Sequence, residues 1–203
     1  MNPLAVGTMA KTNSGILMMI GGFVLLSGAP VRAEQPHQLD VQLDTSIREE
    51  GDPSPIPREC IACDWSGAIL TGSNLSGAIL KEIDLSGADL RSTQLEGVVL
   101  NFANLAGADL SGSRPHFSFM WEADLRETNF RGADLSGASL SGADLRGSDL
   151  RQAILQGADL TGAQLDEADL RGADLRGAFL GGVDLSAAVT DETTLLDQRD
   201  DPE

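Results

Sequence analysis

The side chains suited to chemistry are few. Cysteine occurs twice, in Cys60-Ile61-Ala62-Cys63, and histidine twice, at His37 and His116. A Cys-x-x-Cys pair can close a disulfide, pack as two reduced thiols, or work as a thioredoxin-like redox pair. Redox work needs a βαβ context and a helix N-terminus to lower a thiol pKa, and the residues around Cys60 signal neither. Haem attachment would need His after the second cysteine, where Asp64 stands. So few soft ligands disfavour a metal cluster or haem, and no zinc spacing or phosphate loop is present. No Ser, His and Asp are placed to meet as a nucleophilic triad. Carboxylates abound, but they recur in repetitive positions with nothing evident to raise a pKa and no calcium-loop spacing. The chain is therefore expected not to be an enzyme, with no catalytic residue, cofactor or metal.

The charge balance narrows the partners. Asp and Glu total 31 against 14 Lys and Arg, a net charge of −17 with a pI near 4.3. Gripping a nucleic-acid backbone or an anionic bilayer demands the opposite excess. Aromatics are 4% of the 203 residues and tyrosine is absent, while glycine reaches 23. An ordinary layered core leans on aromatic bulk, so a different architecture must hold these residues.

The first 33 residues differ in kind from the rest. They carry no Asp or Glu. Lys11 precedes the apolar run 16–26, and Val31-Arg32-Ala33 follows as a small-x-small site, the order of a secretory signal peptide. The run is too short to span about 30 Å of hydrocarbon as a helix. An uncleaved anchor is the alternative. Cleavage after Ala33 leaves no membrane span and an exported chain, in the periplasm or a thylakoid lumen. Residues 34–59, with Pro36, Pro53, Pro55 and Pro57, form a Pro-rich polar linker or N-terminal cap. Leu39, Val41 and Leu43 there could add one edge strand.

A period of five governs residues 60–195. Of the 27 positions divisible by five from 65 to 195, 22 are Leu; the others are Trp65, Pro115, Met120, Phe130 and Thr190. Two residues before each, Ala or another small residue is preferred; two residues after, Gly. Leucines five apart on an α-helix smear around the cylinder at about 140° spacing. On a strand they alternate between faces. A chain that turns about 90° every five residues aims every Leu at one axis, with glycine easing the corner.

Runs such as Gly132-Ala133-Asp134-Leu135-Ser136 and Gly172-Ala173-Asp174-Leu175-Arg176 resemble the pentapeptide-repeat family, written A(D/N)LXX, over about residues 61–195. The resemblance implies an all-β fold, a right-handed quadrilateral β-helix, of about six to seven coils at four units per coil. It also implies a structural place for Cys-x-x-Cys-Asp just before the first good repeat. Export favours a disulfide between Cys60 and Cys63; reduced packing thiols and a redox-active pair remain alternatives.

Residues 20 apart should stack on one face. One outward column then reads Asp64, Asp84, Asn104, Asp124, Asp144, Gln164, Asp184, and another Ile69, Asp89, Asp109, Asn129, Asp149, Asp169, Val189. Asp149 with Arg151 and Asp169 with Arg171 can share a face. These columns are expected to be a solvated, charge-laddered surface. The alternative is mimicry of DNA, since some cytosolic members of the family bind gyrase in this way; export would keep the chain from such a target. Ser113–Glu122 keeps the period but breaks the composition. Pro115 and Met120 take central positions, and Phe117, Phe119 and Trp121 point outward with His116 and Phe102 nearby. These exposed aromatics are either a contact patch for an unknown protein partner or a second copy of the chain, or rings covered by a loop or by residues 34–59. At the C-terminus Leu195 is expected at a central position, with Leu195 and Leu196 lying across the last coil and 196–203 as an acidic tail. The expected function is a non-catalytic exported scaffold or protein-interaction module.

Overall fold

The computed structural model describes residues 58–197 and, upstream, the backbone of Lys11–Thr12 and Gly15–Ile16. Two compact units divide the chain, residues 1–37 and 38–203. In the first, β1 (Lys11–Thr12) and β2 (Gly15–Ile16) pair antiparallel, with Lys11 opposite Ile16. The expected cleavage site, the stretch 34–57 with His37, and the tail beyond residue 197 lie outside the described residues.

In the second unit, single parallel bridges join residues 20 apart. Asp64 pairs with Asp84, Ile69 with Asp89, Asn74 with Gln94, and Ile79 with Val99, and the four columns continue from there. Four five-residue sides therefore close each coil, and the fold is a quadrilateral β-helix. The central residue of each unit points inward: every Leu at a multiple of five from Leu70 to Leu175 is buried, as are Pro115, Met120 and Phe130. The residues two places earlier, mostly small, are buried beside them from Ala68 through Ala173, apart from the half-buried Ser73.

The backbone of a unit can be accounted for donor by donor. Leu70 N–H donates to Asp89 O of the following coil at 2.7 Å, and Gly72 N–H to Arg91 O at 2.9 Å. Asp89 N–H donates back to Ala68 O at 2.9 Å, and Ala68 N–H closes a β-turn onto Trp65 O at 3.0 Å. The corner residue two after Leu is left-handed, as at Gly67 (φ 68°), which glycine adopts without a Cβ clash. Four of five amides are thus paired by backbone, and the residue just after Leu is left over.

Two local departures have physical causes. Pro115 has no N–H to donate, and no bridge joins Arg114 to Asp134 in a column otherwise paired from Asn74 to Asp174. At the C-terminus the expected position of Leu195 is corrected. Asp174 pairs with Leu195, 21 residues on, and Leu175 N–H donates to Leu195 O at 2.7 Å. One extra residue has entered after Val189, so Leu195 takes the outward position before the centre and is 43% exposed. Thr194 takes the small inward place, its hydroxyl donating to Leu170 O at 3.0 Å, as Thr93 donates to Leu70 O. Among the described residues no helix is long and apolar enough to cross a membrane.

Candidate functional site

The consensus Asp or Asn before each Leu supplies the missing backbone partner. Its Oδ1 accepts the amide left over by the ladder: Ser86 N–H on Asp84 at 2.9 Å, Ala106 N–H on Asn104 at 3.1 Å, Ser111 N–H on Asp109 at 2.9 Å. Where Arg follows the Leu, its side chain returns to the same carboxylate. Six such forks are present among the described residues: Arg91–Asp89, Arg126–Asp124, Arg146–Asp144, Arg151–Asp149, Arg171–Asp169 and Arg176–Asp174. Each places Nε and Nη2 on the two carboxylate oxygens, as in Arg91 at 2.8 and 2.6 Å. The fork from Arg91 holds Asp89 down to about 2, against the opposing pull of desolvation. Arg176 holds Asp174 lower still, helped by Gln156, and the other four carboxylates are lowered by the same kind of hydrogen bond. At these six positions the surface is zwitterionic, unlike the bare ladder of like charge expected of a phosphate mimic.

One face departs from this rule. Its outward column reads Glu59, Ile79, Val99, Phe119, Ser139, Asp159, Phe179. Only Asp159 there caps a turn, accepting Thr161 N–H at 3.0 Å. Phe119 is 48% exposed at the middle of this face, with Phe117 (61%) at one corner and Trp121 (37%) at the other. Phe102 of the preceding coil meets Trp121 edge-on, centroids 4.3 Å apart. Phe117 occupies a left-handed corner (φ 54°) and lies over Gly137 of the next coil, where an added Cβ would sit 2.7 Å from its ring. His116, half-buried, packs against Phe117 at 5.6 Å and its Nε2 lies 3.3 Å from Glu96 Oε1. The candidate residues His116, Phe117, Phe119 and Trp121 thus fall on one side of a single coil.

The match to known families is direct. The model of Pentapeptide repeats matches eight copies, over residues 60–87, 78–114, 120–152 and 153–189. The chain belongs to the pentapeptide-repeat family. HetL, a pentapeptide repeat protein involved in heterocyst differentiation regulation in the cyanobacterium Nostoc sp. strain PCC 7120, is 36% identical over 64% of this chain and 71% of its own, with a TM-score of 0.40. A pentapeptide repeat protein of the Arabidopsis thaliana thylakoid lumen is 29% identical over 51% of this chain and 68% of its own, with a TM-score of 0.27. QnrB1, a plasmid-mediated fluoroquinolone resistance protein, is 22% identical over 66% and 82%, with a TM-score of 0.37. No match is found among curated proteins.

In this pentapeptide-repeat protein Cys60 and Cys63 sit at the mouth of the first coil with Cα atoms 5.8 Å apart, a separation that a disulfide can bridge. Both pack, partly buried, against the end of the core. Among the described residues no helix begins beside them. Among the described residues no three His, Cys, Asp or Glu side chains are grouped to hold a metal ion. Sequence reasoning does not reach the turn-capping role of the Asp positions. Its signal was the interchange of Asp with Asn at Asn74, Asn104 and Asn129, which an acceptor oxygen explains and a charge does not.

Proposed function

We propose that this chain is a non-catalytic, exported protein-interaction module that docks a partner through the face carrying Phe117, Phe119 and Trp121. One observation carries this reading. Along that face the chain gives up turn-capping Asp, and at Phe117 a corner glycine, for large apolar side chains left in solvent. Both exchanges weaken the coil, so a gain outside the coil must offset them. Aromatic anchors of this kind are the usual hot spots of protein contacts. We further infer a right-handed stack of between six and seven coils, cleavage after Ala33, and residence in the periplasm or a thylakoid lumen. A Cys60–Cys63 disulfide suits an oxidising compartment.

The test is recovery of a partner from the native compartment by the natural protein and by a Phe117→Ser, Phe119→Ser, Trp121→Ser variant whose circular dichroism is unchanged. Loss of a specific partner supports the docking face. Equal recovery removes it. Intact mass of the natural protein tests export independently: a chain retaining residues 1–33 would return the gyrase-directed alternative to consideration.

A further inference from the structure

The corner between this face and the next departs further from the repeat than any other. At the left-handed position four successive coils carry Ala62, Glu82, Phe102 and Glu122, with φ of 54°, 56°, 60° and 53°, before glycine resumes at Gly142. Four of the nine non-glycine residues with positive φ among the described residues lie in this one column. Their order is fixed by the backbone: Glu82 N–H donates to Asn101 O at 3.0 Å, Phe102 N–H to Trp121 O at 3.2 Å, and Glu122 N–H to Ser141 O at 3.0 Å. Phe102, against Trp121, is therefore bracketed by a glutamate one coil before and one coil after. Their backbone positions stand about 10 Å apart on strand spacing, and the Glu122 side chain leans over Gly142 of the following coil. Unlike the six forked aspartates, neither Glu82 nor Glu122 makes an ion pair among the described residues. Lys81 is the local countercharge, and it makes none either.

A second feature points the same way. Asn101, beside Phe102, is only 8% exposed, yet its Oδ1 receives no hydrogen bond. A buried carbonyl without a donor is costly to keep. It lies in the corner column directly before Trp121. An exposed indole met edge-on by a phenyl ring, two carboxylates without an ion pair and an unmet acceptor share one complement: a planar cation rich in N–H donors.

We propose that this corner receives an arginine side chain presented by a segment of the partner protein. The inference rests on the docking reading above and names the chemistry of what docks. The guanidinium stacks on the Trp121 indole, directs its N–H groups to Glu82 and Glu122, and takes Asn101 Oδ1, itself buried, only once that amide turns outward. The net charge of −17 steers such a segment in.

The test uses the full chain, labelled with nitrogen-15, and acetyl-(Gly-Arg)4-amide at physiological salt. The Trp121 indole resonance, assigned by its loss in Trp121→Phe, should shift and saturate. The citrulline counterpart of the peptide, and the Glu82→Gln, Glu122→Gln double variant, should each bind at least about fivefold more weakly. Asp109→Asn, on the opposite face, should change binding less than twofold. An unmoved Trp121 indole, equal binding of the citrulline peptide, or an equal loss in Asp109→Asn overturns the arginine site. If the peptide fails while the triple serine variant still loses its native partner, only this inference falls. If the triple variant keeps its partner, the docking reading falls and takes this one with it.

Discussion

Replacing Asp109 isolates the role of the residue before each leucine. Asp109 Oδ1 accepts Ser111 N–H at 2.9 Å and the Asn129 side-chain amide of the next coil at 3.0 Å. Asp109→Ala removes both and strands an amide that the ladder cannot pair. By analogy with the loss of a helix N-cap, the cost is about 1–2 kcal/mol. Asp109→Asn keeps an acceptor oxygen at the same place and should stay within about 0.5 kcal/mol of the natural protein. Urea unfolding reports the global change. Native-state hydrogen exchange reports the local one: the Ser111 amide should exchange roughly ten times faster in the Ala variant and nearly unchanged in the Asn variant. If Asn and Ala were equally damaging, the negative charge and not the acceptor would matter. If neither moved the Ser111 amide, the capping argument would be wrong.

Leu145→Asp should place an unpaired charge in the fully buried column and cost on the order of 3–5 kcal/mol; Ser141→Asp at a corner should cost under about 0.5 kcal/mol, and equal effects would refute the inward assignment. Gly137→Ala should be about 1 kcal/mol worse than Gly132→Ala, because both have positive φ but only Gly137 lies under the Phe117 ring. That excess should vanish in a Phe117→Ala background. The lowered carboxylate pKa values, led by Asp89 at about 2, mean that these pairs contribute fully above the unfolded range near pH 4. Their contribution is lost as pH falls from about 4 through about 2. Thermal unfolding should be level above about pH 5, and Arg91→Ala should lower stability on that plateau while losing less between pH 4 and 2.

How much of this was legible in the residues varies with the cause. Leu70 through Leu175 announce the coil because an inward side chain is required at every fifth position, and no other regular element can bury that spacing. The outward aromatics follow from the same register, since Phe117, Phe119 and Trp121 alternate with the inward Ser118 and Met120. The caps do not, because a column of Asp looks the same whether it faces water or holds a turn. The slip after Val189 was hidden by Leu195 and Leu196 standing side by side, either of which suits the centre. Only the adjacent pair Thr193 and Thr194 hinted at it, as Thr93 and Thr128 also bond inward to a leucine carbonyl.

The central claim is that one face of the coil meets another protein. A photo-crosslinking amino acid placed at Phe119, and separately at Asp109 on the opposite face, tests it in the compartment where the chain resides. The predicted result is a discrete adduct of fixed mass from position 119, absent from position 109 and abolished when Phe117 and Trp121 are replaced by serine. The same adducts from both positions, or none from position 119 in a correctly folded chain, would contradict it.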